Sequence, residues 1–184
     1  MNGPIDISNV VLETERLILR PWEVRDLEDL FSYSSIEGVG ERAGWTHHKS
    51  IEESLSVLEL FIRERKTFAL VLKNNNKVIG SIGLEGCRST LGEEFNTLVG
   101  RDIGYVLHKD YWGQGLMTEA VKRVIEYSFK DLNYDFLSCV HYTYNNQSRR
   151  VIEKCGFTFY KDIRSKTKYG TVEDSKLYVL INNK

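Results

Sequence analysis

Polar and apolar residues alternate from Arg16 to Trp22 around Pro21, which predicts a first strand with one buried face. Leu27, Leu30 and Phe31 share a helical face within Val24–Ser34, and Ile51, Leu55, Leu58 and Ile62 mark a second amphipathic helix. Thr67–Leu72 and Val78–Glu85 are strand-like runs joined by Lys73 to Lys77, where asparagines accept the left-handed backbone of a tight turn. A polar stretch from Arg88 to Asn96 leads to a further antiparallel strand, Asp102–Leu107. From Thr118, the residues Ala120, Val121, Val124, Ile125, Ser128 and Leu132 form a regular apolar stripe of about four helical turns. Phe136–Tyr142 reads as a strand, and Ser148–Cys155 as a short helix stopped by Gly156. Two closing strands follow, Phe157–Ile163 and Lys176–Ile181. The strand–helix–strand run in the middle predicts a parallel crossover, and hence a mixed α/β sheet.

With 184 residues, the chain is expected to form one domain over 1–184, and no repeat or Pro/Gly/Ser linker divides it. A net charge of −1 argues against a protein held to nucleic acid by phosphate neutralisation. The start carries no charged segment followed by an apolar one, and no long apolar run occurs, so a cytoplasmic protein without a membrane span is expected. Cys87, Cys139 and Cys155 fit neither a disulfide framework nor a zinc site and are expected to be buried apolar residues. His47 and His48 lack a third ligand at metal spacing and are expected on a surface loop, with no metal.

The chemistry concentrates where the Asp102–Leu107 strand runs through Tyr111-Trp112-Gly113-Gln114-Gly115 into the strongest helix. Glycines allow a ligand close to the backbone, and a helix N-terminus offers free N–H groups with about half a positive charge. A pyrophosphate would sit on the N–H groups from Gly113 to Thr118. The pattern lacks the Gly-Lys-Ser/Thr ending of a P-loop and the third glycine of a dinucleotide fingerprint.

The string from Tyr111 to Ala120 resembles the acetyl-CoA loop of GNAT acetyltransferases, in the branch typified by ribosomal-protein N-terminal acetyltransferases. Three further blocks agree in order. Leu12 to Arg20 resembles that branch's first strand, Asp102-Ile103-Gly104-Tyr105 its central strand, and Asn145 to Phe157 its second motif. The resemblance implies a mostly antiparallel twisted sheet with helices on both faces and a V-shaped split between the strands of Tyr105 and Val140. Acetyl-CoA would be the cosubstrate, its pantetheine pairing with backbone from Tyr105 through Val106 to Leu107. Trp112, Gly113, Gln114, Gly115, Leu116, Met117 and Thr118 would hold the pyrophosphate. Trp112 and Met117 depart from the wider superfamily, but Trp112 is usual for the branch and Met117 need only offer its N–H.

Many relatives carry a tyrosine acid seven residues after the asparagine, and this chain has Ile152 there. The branch instead implies Ser148, whose hydroxyl would donate to the departing sulfur. A serine in that place otherwise satisfies the first helical turn, with Asn145 or Asn146 as the cap. For the base the resemblance points to Asp102, two residues before Gly104, which could equally be a salt-bridged strand carboxylate; Glu85 is the alternative. The expected partner is an amine that attacks acetyl-CoA directly in a ternary complex: a protein N-terminus, or a small amine such as a polyamine, amino acid or antibiotic. The competing class is a non-catalytic acyl-CoA-binding module. A monomer or homodimer is expected.

Overall fold

The computed structural model describes residues 2–87 and 91–183, so the start of the polar stretch expected from Arg88 lies outside the described residues. Its strands are β1 Leu12–Glu13, β2 Leu17–Arg20, β3 Thr67–Leu72, β4 Val78–Glu85, β5 Gly100–Leu107, β6 Phe136–Tyr142, β7 Thr158–Lys166 and β8 Val172–Ile181. The helices are α1 Leu27–Ser34, α2 Ile51–Glu64, α3 Leu116–Lys130 and α4 Asn146–Lys154.

Several boundaries differ from the pattern, each for a local reason. β2 ends at Arg20 because Pro21 has no N–H with which to extend the ladder. The two-residue β1 is too short for any periodicity to mark; it folds back on β2, pairing Leu12 with Leu19. α3 begins at Leu116, two residues before Thr118, because the left-handed Gly115 stands as its cap. β7 and β8 run longer than expected, since their exposed charged residues hide the period of two.

The sheet has eight strands in the order β1-β2-β3-β4-β5-β6-β8-β7. Every neighbouring pair is antiparallel except β5 and β6. Helices cover both faces. Phe68, Leu70, Ile103 and Leu137 face α3 and α4, against Val121, Val124 and Ile152. Ala69, Val71 and Val78 face the other way, against Leu30 and Tyr33 of α1 and Leu58 of α2. β3 is therefore buried on both faces, which is why it reads as an unbroken apolar run from Phe68 to Leu72. Each such Leu or Phe contributes roughly 1.5–3 kcal/mol by leaving water.

The parallel pairing runs from Gly100 opposite Phe136 to Ile103 opposite Cys139 and ends there. β5 stays on β4 as far as Leu107 opposite Gly80, while β6 follows β8 as far as Tyr142 opposite Ser175. Each strand keeps its outer partner, so the two halves of the sheet separate in a V beyond Ile103. At the closed end a Cβ on Gly100 would lie 2.5 Å from the Phe136 carbonyl oxygen, so the strands converge only because residue 100 is glycine.

Of the cysteines, Cys139 and Cys155 are buried, whereas Cys87 is half-buried and its thiol donates to the Gly100 carbonyl at 3.2 Å. His47 and His48 lie on the loop before α2, half-buried, with Glu41 and Ser54 as partners. Among the described residues no helix is long and apolar enough to cross a membrane, and no group of three or more His, Cys, Asp or Glu could hold a metal.

Candidate active site

β5 leaves the sheet at Leu107 and passes through His108, a 3-10 turn at Lys109–Tyr111, and Trp112. The Trp112 indole N–H donates to the Leu107 carbonyl at 2.8 Å, tying the loop to the strand end. Gly113 and Gly115 then adopt φ of +77° and +80°. A Cβ at Gly113 would meet nothing within 4 Å, and one at Gly115 only the Arg16 guanidinium at 3.6 Å. Backbone conformation, not crowding, demands glycine here. Gly115 caps α3 without a side chain, so the N–H groups of Leu116, Met117 and Thr118 lack a capping side chain at the positive end of the helix.

A clamp from the β1–β2 turn holds this loop. The Glu119 carboxylate accepts from the Thr14 hydroxyl at 2.5 Å, from the Arg16 N–H at 2.9 Å and from the Arg16 guanidinium at 2.8 Å. The same guanidinium donates to the Gln114 carbonyl at 3.0 Å. Burial alone would raise the Glu119 carboxyl, but the hydrogen bonds from Thr14 and Arg16 outweigh it and hold it below its ordinary range. The first-strand block therefore works on the loop from more than a hundred residues away in the chain.

A cleft of about 370 Å³ runs from the loop into the split. Ile103–Leu107, Cys139 and Val140 line its sheet side; Gly113, Gly115, Leu116, Met117 and Thr118 line the loop end. Asn145, Ser148, Arg150 and Lys154 come from α4 and its cap, and Val39, Arg42 and Ala43 from the α1–α2 connection. Gln114 is not among the lining residues; its side chain turns back to the Asp110 carbonyl at 2.9 Å. Arg42, Arg150 and Lys154 are the lining cations, and among the described residues no aspartate or glutamate lines the cleft. Backbone N–H groups at a helix N-terminus together with three cations suit a phosphate-bearing ligand.

The α1–α2 wall is fastened to α4. Asn145 donates to the Arg42 carbonyl at 3.3 Å, and the Arg42 guanidinium sits 5.4 Å above the Trp112 ring. Glu41 braces the wall by accepting from the Gly38 and His47 N–H groups at 2.8 and 3.0 Å.

Asn145 caps α4, its side-chain oxygen accepting from the Ser148 N–H at 3.2 Å. Ser148 is in the first turn, and its Oγ lies 2.9 Å from the Tyr105 phenol, which also reaches the Ser148 carbonyl at 3.2 Å. Ile152, at the position where many relatives carry tyrosine, is buried in the core. A phenol does reach this turn, but from β5. The motif along the chain assigns Tyr105 only a backbone role and gives no sign of this phenol. The available signal was strand alternation, which turns Tyr105 with Ile103 and Leu107 toward α3 and α4.

The two carboxylates stand elsewhere. Asp102 and Glu85 are directly opposite each other across β4 and β5, on the sheet face away from Tyr105. Asp102 is only 4% exposed and accepts from the Ser138 hydroxyl at 2.7 Å. Glu85 is ion-paired with Lys66 at 2.6 Å, and Lys66 also bridges to Glu64 at 2.7 Å. Neither carboxylate lines the cleft.

The split between β5 and β6 thus opens onto a glycine loop and a helix N-terminus. The sequence model of the family described as "Acetyltransferase (GNAT) domain" matches residues 16–158, and the chain belongs to that family. It is an N-acetyltransferase, and enzymes of this family take their acetyl group from acetyl-CoA. The chain is 27% identical over 177 residues to the uncharacterized N-acetyltransferase YoaA of Bacillus subtilis, covering 93% of this chain and 96% of that protein. Among solved structures it is similar to a GNAT-family acetyltransferase from Bacillus anthracis, with a TM-score of 0.79 and 22% identity over 94% of this chain and 98% of that one. It is also similar to the ribosomal-protein-S5-alanine acetyltransferase of Vibrio fischeri, with a TM-score of 0.70 and 24% identity over 95% and 98% of the two chains.

Proposed function

We propose that the acceptor is an α-amine, that of a protein or peptide N-terminus, attacking acetyl-CoA directly in a ternary complex. The observation that carries this is the absence of any aspartate or glutamate from the cleft lining among the described residues. The nucleophile must be neutral, and a site without a carboxylate at hand suits an amine that loses its proton easily. An α-amine has a pKa of about 7.7–8.0 against about 10.4 for lysine, so deprotonation at pH 7.4 costs under about 1 kcal/mol rather than about 4. The branch resemblance points the same way.

In this reading the phosphates rest on the N–H groups from Gly113 to Thr118, with Arg42, Arg150 and Lys154 around them. The pantetheine runs along Tyr105–Leu107, whose β6-side edge lies beyond the last parallel pair. A backbone N–H of that strand polarises the thioester carbonyl, and Ser148 faces the sulfur. Asp102 takes the amine proton through a water, since it stands two residues before Gly104 yet outside the lining; Glu85 is the alternative.

Peptides beginning with free Ala, Ser or Met, compared with the same peptides blocked at the N-terminus and carrying an internal lysine, provide the test. The free-amine set is expected to be acetylated faster. Faster acetylation of the blocked set overturns the proposal, and activity on neither set moves the acceptor to small amines.

A further inference from the structure

We propose that Tyr105 is a positioning residue for acetyl transfer, its phenol holding Ser148 so that the serine hydroxyl is aimed at the departing sulfur. The inference rests on the reading of the cleft as an acetyl-CoA site with Ser148 facing the thioester. A serine in a first helical turn has three staggered rotamers and readily spends its proton on a nearby backbone oxygen. Ser148 is constrained more tightly. The Tyr105 phenol crosses from β5, two residues past the last parallel pair, and meets both the serine carbonyl and its hydroxyl.

The phenol has one proton to give. Donated to the Ser148 carbonyl, it leaves its own oxygen as the acceptor for the serine proton, which then points at Tyr105. Donated to the serine Oγ, it turns the serine proton away from Tyr105 and into the cleft. An arriving sulfur lone pair favours the second arrangement. When the amine nitrogen bonds to the acetyl carbon and the C–S bond breaks, the bonding pair stays on sulfur and accepts the hydrogen bond from Ser148. The nitrogen releases its extra proton to the base, solvent protonates the thiolate, and Ser148 and Tyr105 finish as they began.

Burial pushes the Tyr105 phenol well above its ordinary range, and the Cys139 thiol beside it, through its charge and a hydrogen bond, adds to this, so the phenol keeps its proton near neutral pH. The other titratable groups facing it do not compete for the sulfur. Cys155, below it, is pushed up by burial to about 11 and stays a neutral thiol. Arg42, Arg150 and Lys154 lie around the cleft and have no acidic proton partner to offer the sulfur in place of Ser148.

The test is the titration of the thiol of bound CoA, followed by thiolate absorbance against a dethia-CoA blank, in the wild type, Tyr105→Phe, Ser148→Ala and the double variant. A hydroxyl aimed at sulfur lowers the thiol pKa. Removing either group is expected to raise it by about one unit, tenfold in the ionisation constant, and the double variant should match the single ones. In parallel, kcat of Tyr105→Phe should fall about tenfold with the acetyl-CoA KM within a few-fold. If Ser148→Ala moves the thiol and Tyr105→Phe does not, the positioning role is overturned while the reading of the cleft stands. If neither moves it, the role is overturned together with that of Ser148. Failure of the wild type to bind CoA overturns the reading of the cleft and this inference with it. Should Tyr105→Phe not fold, Tyr105→Leu serves in the same titration.

Discussion

The two sides of the split differ in what their polar groups are doing. On the α3–α4 side, groups are held ready but unspent: the N–H groups at the start of α3 have no capping side chain, and Gly113 faces open space. On the opposite sheet face the carboxylates are engaged: Asp102 with Ser138, Glu85 with Lys66. Polar groups left without protein partners carry a cost that a ligand can relieve, whereas engaged ones give up little by binding. In the proposed reading the cofactor would therefore be bound by preformed backbone. In the same reading, proton removal would fall to groups that must first be reached, through water or by displacing a partner.

The sharpest way to break this contrast is Gly115→Val. A β-branched residue at φ of +80° is strained by about 1–3 kcal/mol. The loop is expected to relax out of its left-handed turn and weaken CoA binding by roughly ten- to a hundredfold. Unchanged calorimetric affinity in a folded variant would remove the loop from the cofactor site.

A smaller effect probes the opposite face. Asp102→Asn and Glu85→Gln should be compared over pH with a peptide α-amine as acceptor. A base reached through water has only the small deprotonation cost of an α-amine to relieve, so the loss at neutral pH should be no more than about tenfold. It should belong to Asp102→Asn and fade as pH rises through 8. A loss confined to Glu85→Gln reassigns the base, and a loss that persists at high pH makes the affected carboxylate structural.

The smallest effect concerns the α1–α2 wall. Burial by itself raises the Glu41 carboxyl, but the His47 and Gly38 N–H groups and the His47 ring outweigh it and bring it down to about 2 from an ordinary 4.5. A carboxylate depressed by folding stabilises the protein above its unfolded pKa and loses that contribution as pH falls through the folded value. The wild-type melting temperature should therefore decline between about pH 4.5 and 2, with a shallower decline for Glu41→Gln. Parallel curves would show that Glu41 does not brace the wall.

Much of the fold was legible because burial imposes a period. The stripe of α3, the doubly buried β3 and the asparagine turn before β4, where Asn76 has φ of +58°, declare themselves locally. The glycine loop was equally legible as a conformation, since left-handed backbone and a helix start are met within a few consecutive residues. The long β7–β8 hairpin was only partly visible, because its outer residues face solvent and carry no apolar period.

By itself, then, the sequence determined the order of the elements, the parallel crossover through α3 and the loop at its mouth, all of which follow from spacing and backbone preference over short stretches. Tertiary structure alone decided which distant side chains meet. Thr14 and Arg16 close on Glu119, Arg42 lies on Trp112, and the phenol near Ser148 comes from Tyr105 rather than from α4. It also turned Asp102 away from the cleft, toward Ser138. Such contacts depend on where strands diverge and which face a residue takes. A one-residue change of register would reverse them, and no local pattern encodes that choice.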